Sequence, residues 1–198
     1  KINMIKSVRE ELNLPIAIML DTKGPEYRIK TFKNSSVTIN DGDTFTLTTR
    51  DVQGDENIVS VSYKGLVNDL SVGDRVLINN GLVILDVKEI KDTDIVCKVI
   101  VGGTLSDRKS MSFPNKVLNQ VYLSEQDKKD LLLGIENGVD FIAASFVSCQ
   151  QDILDLKAFL SAHGGGTIDI IAKIENRAGV DNIESICDVC EGIMVARG

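Results

Sequence analysis

Two short apolar runs in this sequence end abruptly in charged residues. The first run, 16–20, ends at Asp21, and the second, 168–174, contains Lys173 and is followed by Glu175. A short continuous apolar run is typical of a strand that is buried on both faces, as in a parallel sheet. Enzymes with α/β folds build their sites at the carboxyl ends of such strands. The runs therefore predict an α/β fold with a charged site at one edge of its sheet.

From Ser124 onward, helical and strand-like patterns follow each other in turn. Ser124 and Asp127 have nearly the spacing of a capping box, which predicts the start of a helix there. Apolar strands are predicted at 141–147, 168–174 and 192–197, with helices between them, including one at 180–189. Repeated alternation of this kind predicts a parallel sheet with right-handed crossovers.

Between about residues 28 and 103 the pattern changes to short segments in which apolar and polar residues alternate. Asn80-Gly81 separates two of these segments and is typical of a hairpin, because both residues tolerate positive φ. We therefore predict a small all-β barrel, inserted between one strand of the parallel sheet and the helix that should follow it.

Composition narrows the classes of protein to consider. A chain of 198 residues forms one large domain or two small ones. Its net charge of −7 argues against nucleic acid as a partner. No apolar run approaches the roughly 20 residues that cross a bilayer, which predicts no membrane association. Cys187 and Cys190 form a CxxC pair without a second pair to complete a zinc site. We expect reduced thiols in a cytoplasmic protein, with redox chemistry as the alternative.

Lys173 and Glu175 lie two residues apart on a predicted strand, so that their side chains leave the same face. A lysine beside a carboxylate that holds a divalent cation suits charge developing on a phosphoryl group or an enolate. The alternative interpretation is an ordinary solvated ion pair at a strand end.

A second group of charged residues begins where the first strand ends. Asp21 and Thr22 offer oxygen ligands of the kind a hard cation prefers. Arg28 suits a phosphate, which it binds through two hydrogen bonds. The alternative is a charged hinge loop. Lys109 follows the β region beside Arg108, and this pair suits either an anion or solvent.

Three runs resemble signatures of the pyruvate kinase family: LDTKGPEYR at 20–28, IAKIEN at 171–176 and GIMVARG at 192–198. The resemblance covers essentially the whole chain. It implies part of a (β/α)₈ TIM barrel with an inserted β-barrel lid. The implied domains are 1–24 for the first part of the barrel, 25–116 for the lid and 117–198 for the continuation of the barrel.

The resemblance also implies an activity, namely phosphoryl transfer from phosphoenolpyruvate to ADP, which yields pyruvate and ATP in glycolysis. The implied cofactors are Mg²⁺ (or Mn²⁺) and K⁺, and the implied full-length protein is a cytoplasmic homotetramer. Because the family's first barrel strands and its second metal-binding Asp lie outside this chain, we expect the 198-residue chain alone to be inactive.

The resemblance assigns a role to each matching residue. The roles are catalysis by Lys173, Mg²⁺ binding by Glu175, K⁺ binding by Asp21 and Thr22, nucleotide binding by Arg28 and Lys109, and substrate binding by Lys173 and Gly198.

The sequence departs from the family pattern at Asn79, Asn80, Ser112 and Asn115, all in or next to the lid. Two other hypotheses stay open. One is another metal-dependent barrel enzyme that handles phosphoenolpyruvate or pyruvate, and the other is a non-catalytic binding module.

Overall fold

A computed structural model describes residues 2–114, 116 and 118–196 of the chain. These residues divide into two compact units. We call Lys1–Pro25 together with Val121–Gly198 the α/β unit, and Glu26–Gln120 the β unit. In chain order the elements are α1 (Ile2–Glu11), β1 (Met19–Asp21), β2 (Ser36–Ile39), β3 (Thr44–Thr48), β4 (Ile58–Ser60), α2 (Leu66–Asp69), β5 (Arg75–Ile78), β6 (Val83–Lys91), β7 (Asp94–Val101), β8 (Gly103–Ser106), β9 (Met111–Ser112), α3 (Glu125–Glu136), β10 (Phe141–Ala144), α4 (Gln150–Ala162), β11 (Asp169–Ile174), α5 (Arg177–Asp181), α6 (Ile183–Cys187) and β12 (Gly192–Val195).

The α/β unit is built on a four-stranded sheet in the order β1-β10-β11-β12, with every neighbouring pair parallel. Helices α3 and α4 connect successive strands, as the alternating pattern predicts. The core between sheet and helices is apolar and includes Leu131, Ile142, Ile153, Leu156 and Ile170, all with side chains closed to solvent. The sheet therefore brings the carboxyl ends of all four strands to one edge.

Helix boundaries in this unit follow local signals. Ser124 accepts a hydrogen bond from the backbone of Asp127, whose carboxylate accepts one from the Ser124 backbone, so the predicted capping box forms at the start of α3. Helix α4 ends at Ala162, and Gly164 beyond it has φ of +83°. Glycine is favoured there because it has no Cβ to clash in the left-handed conformation.

Three sequence expectations were wrong in detail. The run 16–20 is not buried on both faces, since Ile16 and Met19 are 50% and 44% exposed and β1 lies at an edge of the described sheet. The strand predicted at 141–147 ends at Ala144. The single helix predicted at 180–189 is two short helices, α5 and α6, that meet at Asn182.

The β unit contains a six-stranded sheet in the order β4-β3-β7-β6-β5-β9, a two-stranded sheet of β2 and β8, and the short helix α2. The alternating patterns correspond to burial: Phe45, Leu47, Leu85 and Cys97 point into one apolar core. The predicted hairpin joins β5 to β6, with Asn80 and Gly81 both at positive φ. Closure of these strands into a barrel stays a prediction.

None of the helices in the described part of the chain combines the length and the hydropathy of a membrane-crossing segment.

Candidate functional site

The candidate site lies at the carboxyl ends of β1, β10 and β11, where three chain segments far apart in sequence meet. The parallel register aligns Asp21 with Ala143 and Ala143 with Ile171. Asp21 is the last residue of β1, Ser145 directly follows β10, and Lys173 is the second-to-last residue of β11. This is the edge of the sheet at which the sequence predicts a charged site.

Lys173 is the centre of this site. Its Nζ donates hydrogen bonds to Asp21 Oδ1 at 2.9 Å and to Ser145 Oγ at 2.8 Å. It also lies 3.8 Å from Glu175 Oε1. The side chains of Lys173 and Glu175 are only 12% and 10% exposed. Because a buried ammonium is costly unless it is paired, these oxygens hold the lysine charge at a defined position.

Ser145 joins the three segments. Its Oγ lies 2.6 Å from the Thr22 carbonyl oxygen and 3.1 Å from Asp21 Oδ1. A hydroxyl has a single proton, and the shorter contact makes the Thr22 carbonyl its acceptor. The Ser145 backbone N–H in turn donates to Thr22 Oγ1 at 3.1 Å, and that hydroxyl lies 3.3 Å from the carbonyl of Ala143. The end of β1 is thus attached to the end of β10 by side chains as well as by backbone.

Glu175 is oriented by the turn that follows β10. Its Oε2 accepts a hydrogen bond of 2.9 Å from the Phe146 backbone N–H. Phe146 has φ of +57°, a conformation that is uncommon and costly for a bulky residue. This backbone conformation ends β10 and explains why the strand is shorter than its apolar run. The strained turn directs an amide toward the carboxylate.

Asn176 begins α5 directly after Glu175. Its Oδ1 accepts a hydrogen bond from the Gly179 N–H at 2.8 Å, which is an N-cap interaction. Its Nδ2 donates to Ser148 Oγ at 3.1 Å. The cap fixes where the chain turns after β11, and therefore fixes the backbone that carries Glu175.

The loop after β1 is held from the side of α3. Gly24 N–H donates to Asp127 Oδ1 at 3.1 Å, and Asp127 is almost fully buried. Gly24 has φ of +66°, and a Cβ placed on it would lie 2.5 Å from the carbonyl oxygen of Ser145. The loop that carries Asp21 and Thr22 therefore lies so close to Ser145 that position 24 has no room for a side chain.

Tyr122 contacts the turn that follows β10. Its hydroxyl donates a hydrogen bond of 2.9 Å to the Ser145 carbonyl. Burial raises the pKa of Tyr122 well above that of a free tyrosine, and the nearby carboxylates of Asp152, Asp127 and Glu175 raise it further. The phenol consequently keeps its proton, and with it this hydrogen bond, throughout the neutral range.

The atoms at this edge that could bind a metal ion are all oxygen atoms. Asp21 and Glu175 supply carboxylates, Thr22 a carbonyl and Ser145 a hydroxyl. Such a set has the chemistry that K⁺ or Mg²⁺ requires. Across the residues that the structure describes, no group of three or more His, Cys, Asp or Glu side chains is arranged to hold a metal ion. A divalent cation here would need further oxygen ligands from backbone, water or substrate.

Of the residues predicted for the site, the structure brings together Lys173, Glu175, Asp21 and Thr22. Arg28 lies in the β unit, where it donates to the Arg108 carbonyl at 2.5 Å and forms an ion pair with Glu26. Lys109 is also in the β unit, and its carbonyl accepts from the Ile29 N–H at 3.0 Å. Gly198 lies outside the described residues, as does Asn115.

Sequence reasoning missed Ser145, the Phe146 amide, Tyr122 and the contact of Asp127 with Gly24. Ser145 carried a usable signal, because it is a polar residue near the end of an apolar run. The others carried none, since each acts through a backbone group or a contact made only in the folded chain.

Comparison with known proteins shows which family this chain is similar to. The family model described as pyruvate kinase, barrel domain, matches residues 1–198. The pyruvate kinase of Clostridium perfringens is 44% identical over 100% of this chain and 42% of its own length. That of Bacillus licheniformis is 45% identical over 98% of this chain and 34% of its own.

A solved structure is similar as well. The crystal structure of a pyruvate kinase from Cryptosporidium parvum superposes with a TM-score of 0.87 at 34% identity. It covers 98% of this chain and 41% of the solved chain. The chain thus spans well under half the length of these relatives, and by sequence and by fold it belongs to the pyruvate kinase family.

Proposed function

We propose that the complete protein transfers a phosphoryl group from phosphoenolpyruvate to ADP and so forms pyruvate and ATP in glycolysis. The observation that carries this proposal is the Lys173 ammonium, held between Asp21 and Ser145 and beside Glu175. Phosphoryl transfer depends on positioning and on neutralising charge far more than on covalent chemistry. A buried, oriented ammonium beside a carboxylate meets that need.

In this proposal Lys173 binds the oxygens of the transferring phosphoryl group and balances the charge that develops there. Its position is held by Asp21 and Ser145, so little rearrangement is needed when charge appears. Glu175 holds Mg²⁺ (or Mn²⁺). The hydrogen bond from the Phe146 amide to Glu175 Oε2 orients this carboxylate and leaves its other lone pairs for the cation. The bound divalent cation supplies further neutralisation of phosphate charge.

The end of β1 is proposed to hold K⁺. Asp21 offers a carboxylate that is 67% exposed, and so has room for another ligand. The Thr22 hydroxyl is already engaged with Ala143 and Ser145, so the Thr22 carbonyl, with a second lone pair, is the better ligand atom.

Residues outside this cluster complete the proposal. Arg28 and Lys109 bind nucleotide phosphates, and the Gly198 backbone meets the substrate. Residues 25–116 act as the lid, between barrel segments 1–24 and 117–198. The proposed protein is a cytoplasmic homotetramer, and the 198-residue chain alone is expected to show no turnover.

Replacing Lys173 tests the proposal. In the complete protein, Lys173→Met should reduce kcat by about a thousandfold or more, because the donor to the transferring group is lost. The measurement is ATP formation in a coupled assay. Lys157→Met is the matched control, since Lys157 lies on α4 and is paired with Glu191, which directly precedes β12, away from these strand ends. Its kcat should stay unchanged.

Two outcomes would contradict the proposal. Near wild-type turnover by Lys173→Met would remove the lysine from the chemistry. A wild-type complete protein that binds ADP by calorimetry but forms no ATP would favour the binding module instead.

A further inference from the structure

Two cysteines lie at the connection between α6 and β12. Cys187 is the last residue of α6, and Cys190 follows three residues later. The helical turn continues past Cys187, because Asp188 N–H donates to the Glu184 carbonyl at 3.1 Å and Val189 N–H to that of Ile186 at 3.2 Å. Cys190 lies directly after this turn, at the bend where the chain leaves the helix for β12. Only two residues separate the cysteines, which is the spacing of the Cys-X-X-Cys dithiol motif. A disulfide needs Cβ atoms about 3.5–4.5 Å apart, so closure requires the turn at 188–189 to adjust.

Both cysteines are free thiols. Cys187 is exposed and Cys190 is partly exposed. The other two cysteines are differently placed: Cys97 is buried in the core of the β unit, and Cys149 directly precedes α4. Burial raises the pKa of Cys97 to about 12, which keeps that thiol inert.

We propose that Cys187 and Cys190 form a dithiol site that closes to an intramolecular disulfide by exchange with a low-molecular-mass disulfide. The Cys187 thiolate attacks one sulfur of the reagent, which forms a mixed disulfide and releases one thiolate. The Cys190 thiolate then attacks the Cys187 sulfur, which forms the Cys187–Cys190 bond and releases the second. The two cysteines lose two electrons and two protons, and the reagent gains them as two thiols. This inference does not depend on the proposed function.

Exposure sets the order of the two steps. Cys187 is open to the reagent, whereas Cys190 is only partly exposed and packs against the core of the α/β unit. Burial, with the neighbouring Cys187 and Glu191, raises the pKa of Cys190, although the backbone amides of Gly192 and Ala172 act in the opposite direction. Cys190 is therefore suited to closing the mixed disulfide rather than to starting the exchange.

Local charge predicts which disulfides react. Glu184 and Asp188 flank Cys187 in sequence, and Glu191 follows Cys190. These carboxylates repel an anionic reagent and attract a cationic one. Cystamine, which is cationic, should therefore react faster than glutathione disulfide, which is anionic, and added salt should narrow the difference.

Peptide mapping tests the proposal. The reduced complete protein is incubated with cystamine, free thiols are blocked with N-ethylmaleimide in denaturant, and trypsin then releases residues 178–197, which contain both cysteines and no other. We expect this peptide to be unblocked and lighter by two hydrogens. Cys187→Ser and Cys190→Ser should each stop at a single cysteamine adduct or none, while Cys149→Ser should leave the closed peptide unchanged.

Other results would overturn the inference. One is a peptide 178–197 that stays fully blocked by N-ethylmaleimide at cystamine concentrations that modify Cys149. Another is a peptide that carries one cysteamine on each cysteine and never closes. Circular dichroism of the two serine variants checks that their folds are unchanged.

Discussion

At the scale of single residues, the site depends on a few atoms that each have more than one role. Ser145 Oγ accepts from Lys173 Nζ and lies within hydrogen-bond distance of the Thr22 carbonyl, so one hydroxyl connects the lysine to the end of β1. Strand alternation alone predicted that Lys173 and Glu175 would be neighbours, and they lie 3.8 Å apart. The hydroxyl between Lys173 and Thr22 was not predicted.

Ser145→Ala should weaken the site without unfolding the protein. The Lys173 ammonium loses one of its two closest partners, and the buried Thr22 carbonyl loses its donor, which costs about 1–3 kcal/mol of the free energy of unfolding. We expect kcat of the complete protein to fall roughly ten- to a hundredfold, which corresponds to a similar free energy in the transition state.

Ser185→Ala is the control for Ser145→Ala, because the side chain of the half-buried Ser185 only donates a solvent-exposed hydrogen bond to the Asn182 carbonyl at the start of its own helix. It should leave kcat and stability nearly unchanged. Steady-state kinetics measures kcat of both variants, and urea unfolding measures their stability. An unchanged kcat for Ser145→Ala would mean that this hydroxyl does not contribute to catalysis.

At the scale of secondary structure, turns set where the charged residues come to lie. The apolar run 141–147 predicted a strand of seven residues, but the positive φ of Phe146 ends the strand early and turns an amide toward Glu175. The helix predicted at 180–189 is divided at Asn182, whose side chain donates to the Ser148 carbonyl. Apolar periodicity identifies such elements but does not register a turn inside them.

Gly24→Ala tests the close approach of the loop after β1. The new Cβ would lie 2.5 Å from the Ser145 carbonyl oxygen, and φ of +66° already disfavours any side chain. The matched control is Gly164→Ala in the same unit, at φ of +83° with no atom within 4 Å of the new Cβ.

Both alanines should cost about 1–2 kcal/mol for the left-handed backbone. Gly24→Ala should cost about 1–3 kcal/mol more, because the loop must move away from Ser145. Urea unfolding followed by circular dichroism measures the difference between the two variants. Equal stabilities would mean that the loop relaxes freely and that its closeness to Ser145 is not required.

At the scale of the whole molecule, the described chain has two separate apolar cores. The β unit is one continuous segment, Glu26–Gln120, whereas the α/β unit is assembled from the two ends of the chain. The core of the β unit is built from its own strands and includes Phe45, Leu47 and Leu85 with no exposed surface. A continuous segment with its own core meets the conditions for independent folding.

Residues 26–120 should therefore fold when expressed alone. We expect a cooperative urea transition and dispersed amide resonances in nuclear magnetic resonance spectra. Phe45→Ala in the same segment should lower its free energy of unfolding by about 3–5 kcal/mol, because it leaves a cavity in a fully buried part of the core. A segment that shows neither a transition nor dispersed resonances would mean that this core needs the rest of the chain.

The sequence by itself determined the features that rest on local order. Apolar runs and their periodicity predicted the alternating helices and strands, the β region between them and the strand ends that carry Asp21, Lys173 and Glu175. The three family signatures were recognisable for the same reason, since each is a continuous string of residues.

Only the tertiary structure decided which groups meet at those strand ends. Ser145 lies more than a hundred residues from Thr22, and Asp127 as far from Gly24, yet each pair is joined by a hydrogen bond. A hydrogen bond depends on the distance and direction between two groups, and for groups so distant along the chain the packing of the sheet sets both. No local pattern in the sequence records that geometry.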